Sequence, residues 1–224
     1  MKKILLSLAV VSLFAIRADA DILANYPFTG SLRASTDGDP NTSASDISDG
    51  VGISSSVDAT RGNPSPSITV SADQIDGTTN GAAVTANDYI SFTLTPGVGV
   101  TVNLTSLTLD AFNYTNDGTF SAESYFLRSS TNGFTTNIGT TQNILAGSNG
   151  TITPASFDLS GAAFQGLTSP IEFRLFYQDS GADPDRGLAF DNIILNGTVV
   201  PEPATWMLMG VGLLLGAQRL RRKV

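Results

Sequence analysis

Between residues 88 and 199, apolar side chains recur at every second position in several short runs, and this spacing constrains the fold more than any other feature. Ile90, Phe92 and Leu94 alternate with Ser91, Thr93 and Thr95, which in an extended strand puts one set on a buried face and the other toward solvent. Residues 101–114 alternate through Val102 and Leu104, then through Leu107, Leu109 and Ala111. The change of phase at Thr105-Ser106 predicts a bulge or bend within one long strand. Asn116-Asp117-Gly118 and Asn132-Gly133 are turn residues able to take positive φ. Further strands are expected at 124–129, 151–159, 171–178 and 188–199, and earlier ones at 22–28, 51–57 and 67–70. Residues 159–166 offer a candidate helical turn. The expected fold is all-β: a jelly-roll-like antiparallel β-sandwich over residues 21–199, loop-rich from 29 to 81.

Composition narrows the chemistry. Thr and Ser number 25 and 24, whereas charged residues reach only 14%, against about 25% in an average domain. The chain has no Cys and no His, which removes disulfides, thiolate zinc sites, Ser-His triads and imidazole proton shuttles. Most of the basic residues sit at the two ends; residues 21–200 hold 18 carboxylates against five Arg and no Lys. A surface so acidic repels phosphate backbones, so nucleic acid is excluded as a partner.

The ends are of a different kind. Residues 1–20 have the layout of a secretory signal peptide: Lys2 and Lys3, an apolar run, then Ala18-Asp19-Ala20 as a small-x-small cleavage site. The secretion machinery is the partner this implies, and Asp21 the first residue of the processed chain. At the other end, Pro201-Glu202-Pro203 precedes an apolar run at 204–217 and then Arg219, Arg221, Arg222 and Lys223. Fourteen helical residues rise about 21 Å, short of a hydrocarbon layer about 30 Å thick. Flanking residues and snorkelling arginines extend the run to a marginal transmembrane helix. The basic cluster keeps the C-terminus inside and leaves Pro-Glu-Pro outside, with Trp206 near the outer interface.

This order of parts over residues 200–224 resembles the PEP-CTERM sorting signal of bacterial exported proteins, a region also labelled an ice-binding protein C-terminal domain. The resemblance implies recognition by an exosortase, a membrane-embedded protease or transpeptidase, with cleavage near Pro201, Glu202 and Pro203. The protein would then hold a transient inner-membrane anchor before reaching the cell surface or extracellular matrix. Tyr26-Pro27-Phe28-Thr29-Gly30, residues 125–130 and residues 188–193 also resemble lectin-like and carbohydrate-binding-like sandwiches.

Candidate sites in the sandwich are few. Asp37 and Asp39 open a loop with the start of a calcium-binding pattern, but Thr42 and Ser48 stand where an EF-hand needs Gly and Glu. Asp179, Asp183 and Asp185 form a second carboxylate cluster in a Gly-Pro loop, where backbone carbonyls could add ligands. Asp191 lies inside the expected last strand, where a carboxylate is disfavoured; lectin-like sandwiches commonly place a calcium ligand there. Structural calcium is therefore the one cofactor suggested, against solvated turns for the loops and a loop-bonded or edge-facing carboxylate for Asp191. Tyr114, beside a turn, is the candidate exposed platform for a sugar ring. Glu123 and Glu172 are the only Glu residues between 21 and 200, and Glu172 is expected to pair with Arg174 on one strand face. No nucleophile elbow or phosphate loop occurs, so no enzyme is expected. The reading is an exported surface or matrix protein with a structural or adhesive sandwich, with extracellular polysaccharide as a partner. The alternatives are a carbohydrate-binding module or glycoside-acting enzyme, and, with less support, ice binding.

Overall fold

The computed structural model describes residues 21–201 apart from 37, 65, 149 and 180–182. Two antiparallel sheets face one another. The first has the order β10 (Thr153–Asp158), β7 (Val100–Thr115), β12 (Arg186–Pro201), β5 (Ser67–Ser71), β4 (Ser56–Asp58), with β1 (Asp21–Tyr26) on the far half of β12. The second runs β2 (Thr42–Ala44), β6 (Tyr89–Pro96), β11 (Ile171–Asp179), β8 (Glu123–Ser129), β9 (Ile138–Ile144), with β3 (Ser48–Asp49) also on β6. This is the expected antiparallel sandwich. Sequence-distant strands lie side by side, because the 16-residue β7 and β12 form its spine along their whole length.

The alternation read from residues 90–95 is realised: Ile90, Phe92 and Leu94 are buried. The phase change at Thr105 is a β-bulge, since Leu104 pairs with Gly197 and Ser106 with Asn196, leaving Thr105 unopposed. A second irregularity lies between Asp191 and Ile194, where Asn192 takes φ 49. It turns β12 from β5 on one half to β1 on the other.

Aromatic rings tie the sheets together. Phe190 of β12 packs against Tyr125 of β8 at 4.9 Å and Tyr177 of β11 at 5.0 Å between centroids. Tyr26 is likewise core, its hydroxyl donating to the Ser45 carbonyl at 2.6 Å. The expected strand at 51–57 shrinks to Ser56–Asp58, and the expected helical turn is the short 3-10 segment Ala162–Phe164. An unexpected helix, α1 (Asn80–Ala86), is capped by the Thr79 hydroxyl, which accepts from the Ala82 N–H at 3.3 Å. Its Ala83 packs on Phe126 and Phe176, on the outer face of the second sheet. Among the described residues no helix is long and apolar enough to cross a membrane; the expected one at 204–217 lies outside them.

Candidate functional site

The strand that ends the sandwich leads straight into Pro-Glu-Pro. In β12, Thr198, Val199, Val200 and Pro201 pair with Asn103, Val102, Thr101 and Val100 of β7. No spacer separates the folded domain from the strip. Glu202 and Pro203 lie outside the described residues, as do Ala18 and Ala20.

Asp191 is fully buried at the β12 irregularity. Its Oδ2 accepts from the Asn63 N–H at 2.6 Å and its Oδ1 from the Asn192 N–H at 2.7 Å. Across the strand pair stands Asp110, whose Oδ2 accepts from the Asn192 side chain at 3.1 Å. Burial pushes the Asp191 carboxyl above its ordinary range and the nearby Asp110 adds to the shift, while the two N–H groups oppose it. Asp191 thus fastens the loop at Asn63 to the spine. Asp39 accepts from the Asn41 N–H at 2.7 Å in a tight turn, and Asp37 lies outside the described residues. Asp183 accepts from the Asp185 N–H at 3.0 Å and pairs with Arg186 at 3.1 Å. Among the described residues no three acidic side chains converge on a possible metal position. The described set does not fit a calcium cage: both Asp191 oxygens already hold backbone N–H groups, and Asp183 holds a guanidinium.

Tyr114 is a correction. Its ring is buried, not a projecting platform, because the Arg61 guanidinium lies over it at 4.8 Å. Arg61 is anchored by Asp58 and by the Asn116 side chain at 2.8 Å. Beside them, Phe112, Phe120 and Ile152 help line a solvent-open recess of about 340 Å³ on the outer face of the first sheet. Phe120 and Ile152 remain half-buried there. The Glu172–Arg174 pair forms as expected, at 2.7 Å.

Asp179, expected to cluster with Asp183 and Asp185, instead pairs with Glu123 at one end of the core, a pairing not foreseen from the sequence. Glu123 and Asp179 are opposite each other in the β8–β11 ladder, both buried. Ser121 donates its hydroxyl to Glu123 Oε1. Burial, then the neighbouring Asp179 charge and hydrogen bond, push the Glu123 carboxyl up to about 8, against the Ser121 bond. Folding therefore takes up a proton there. The native state keeps it where the unfolded chain, titrating near 4.5, has lost it, so stability falls as pH rises from about 4.5 to about 8. Buried Asp88, raised to about 6, adds to the lower part of that window. Glu123→Gln is expected to flatten the dependence above about pH 6. Melting temperatures across this range check it; an unaltered slope in the variant removes Glu123 as its source.

Comparison with known proteins decides the C-terminal region. Residues 199–223 match the PEP-CTERM protein-sorting motif. The chain carries an export-sorting tail. The motif begins inside the paired part of β12, so its first residues are also sandwich residues. No curated protein sequence matches the chain. Among solved structures it is similar to a carbohydrate-binding module, CBM28, specific for non-crystalline cellulose: 14% identity, 66% of this chain and 85% of that one, TM-score 0.41. It is also similar to CBM27-1 of Caldicellulosiruptor saccharolyticus, solved with mannohexaose: 11% identity, 79% and 96% coverage, TM-score 0.43. A third is the K3 cleaved adhesin domain of Lys-gingipain from Porphyromonas gingivalis: 12% identity, 80% and 99% coverage, TM-score 0.40.

Proposed function

We propose that this is an exported envelope or matrix component, processed at Pro201, Glu202 and Pro203 by an exosortase-type membrane protease, and that its sandwich is a non-catalytic structural or adhesive module for extracellular polysaccharide. The observation that carries the reading is the sorting motif continuing β12 without a spacer. Cutting N-terminal to Pro201 would require stripping β12 from β7, at the cost of ladder hydrogen bonds along the spine. Cutting beyond it leaves the sandwich whole. The intact mass of the surface form is expected to end at or shortly after Pro201 and to lack Trp206. A surface form retaining residues 206–223 overturns the reading.

The non-catalytic part has its own support. Glycoside cleavage needs two carboxyl groups held apart on either side of the bond, about 5 to 9.5 Å from each other. Glu123 and Asp179 stand directly opposite each other on adjacent strands of one sheet, side by side instead of on the two sides of a cleft. Glu172 is held by Arg174.

A second reading, sugar binding, draws on the recess beside Arg61 and Phe120. A half-exposed ring next to fixed polar groups suits the apolar face and hydroxyls of a sugar. Phe120→Ala is the informative variant, since Tyr114→Ala would also unseat Arg61 and disturb the fold. If the recess binds glycan, Phe120→Ala is expected to weaken affinity by about tenfold or more. Glycan-array binding undiminished by that change removes the recess as the site.

A further inference from the structure

The end of β12 sets how near the membrane the sandwich stands while the tail is attached. Pro201 is paired to Val100, and the apolar run begins at Ala204, three residues on. Three extended residues span at most about 10 Å. With the tail inserted, whatever lies beside Pro201 would therefore stand at the membrane surface. What lies there is the β6–β7 turn, from Pro96 to Val100. Its Gly97 N–H donates to the Asn41 carbonyl at 2.7 Å, and Gly99 takes φ +73. At its tip, Val98 is fully exposed, with a relative exposure of 106%, and Val200 on the neighbouring strand is 37% exposed. Neither the turn nor the residues against it, Asn41, Thr42, Val200 and Pro201, carry a basic side chain. The tip of the turn itself presents only the apolar Val98 side chain, with the polar Asn41 and Asp39 set beside it.

We propose that the β6–β7 turn rests on the outer face of the bilayer before the tail is removed, with Val98 entering the boundary between headgroups and acyl chains. The occupant is lipid, because the length of chain between Pro201 and Ala204 holds the turn at that depth whichever protein later binds the strip. The contact orients the sandwich, so that Glu202 and Pro203 meet a membrane-embedded enzyme in one attitude. The inference rests on the tail inserting into the membrane.

The chain has no Cys, so single labelled sites are clean. Val98→Cys and Val51→Cys, each carrying a nitrobenzoxadiazole fluorophore, are compared in the tail-bearing protein reconstituted in phosphatidylethanolamine–phosphatidylglycerol vesicles. Val51 is the matched control. It is 93% exposed and adjoins Gly50, whose N–H bonds Tyr89 at the opposite end of β6, about 25 Å away. The label at 98 is expected to emit several-fold more strongly than the label at 51, to be quenched by doxyl-labelled lipid, and to keep its signal in high salt. Equal, unquenched emission in protein that floats with the vesicles overturns the lipid contact alone. Failure of both variants to float overturns the inserted tail, and the lipid contact with it. Shielding of position 98 only after an exosortase-type protease is added assigns the turn to the enzyme and overturns lipid as its partner.

Discussion

Replacing Pro201, Glu202 and Pro203 together with Ala is expected to leave the protein at full length in the inner membrane, with Trp206 and the basic cluster still attached. On the proposed membrane-anchored route, Arg219, Arg221, Arg222 and Lys223 would stop the chain from following the sandwich outward, since each costs about 2.5–3.5 kcal/mol to bring to the centre of a bilayer. Release would then depend on cutting the strip. Two prolines around one residue favour an extended strip, the form a protease accepts, whereas Ala in their place would let a helix over the apolar run extend back toward the sandwich. The fold should survive the change. Pro201 is the last pair of the β7–β12 ladder, and Ala there supplies an N–H that Pro lacks. Intact masses of membrane and surface fractions give the result directly. A triple variant that reaches the surface at the wild-type mass overturns the assignment of the strip.

Phe190→Ala is expected to destabilise the sandwich by about 3–5 kcal/mol, a large share of the roughly 5–15 kcal/mol that a domain possesses. The ring is wholly buried and spans the two sheets, reaching Tyr125 and Tyr177 from β12. Truncation loses its transfer energy and leaves a cavity that two stiff neighbours on separate strands cannot close. The urea midpoint should fall with the slope unchanged, because the surface exposed on unfolding is nearly the same. A loss below about 1 kcal/mol would show that the sheets collapse onto the gap, and that the aromatic bridge is not what holds them together.

Several parts of this protein were legible without coordinates. The strands at residues 88–95, 101–114, 171–178 and 188–199 were readable because each buries one face, so period-two alternation survives in the sequence. The Thr105 bulge was readable for the same reason: an extra residue shifts the phase. Pro-Glu-Pro and the basic end were readable because membrane sorting depends on local order and charge. Other features depended on neighbours far along the chain. Strand β9 (Ile138–Ile144) buries little but its two terminal isoleucines, since it is an edge strand paired only to β8, and so shows no alternation. Helix α1 has seven residues, too few for a helical period, and is held by Phe126 and Phe176. Tyr114 looked exposed from its turn, but Arg61, distant in sequence, covers it. Glu123 and Asp179 become a buried carboxyl pair only through the β8–β11 register, which sets the two side by side. Periodicity reports which face of a strand is buried; only strand register decides what each buried side chain meets there.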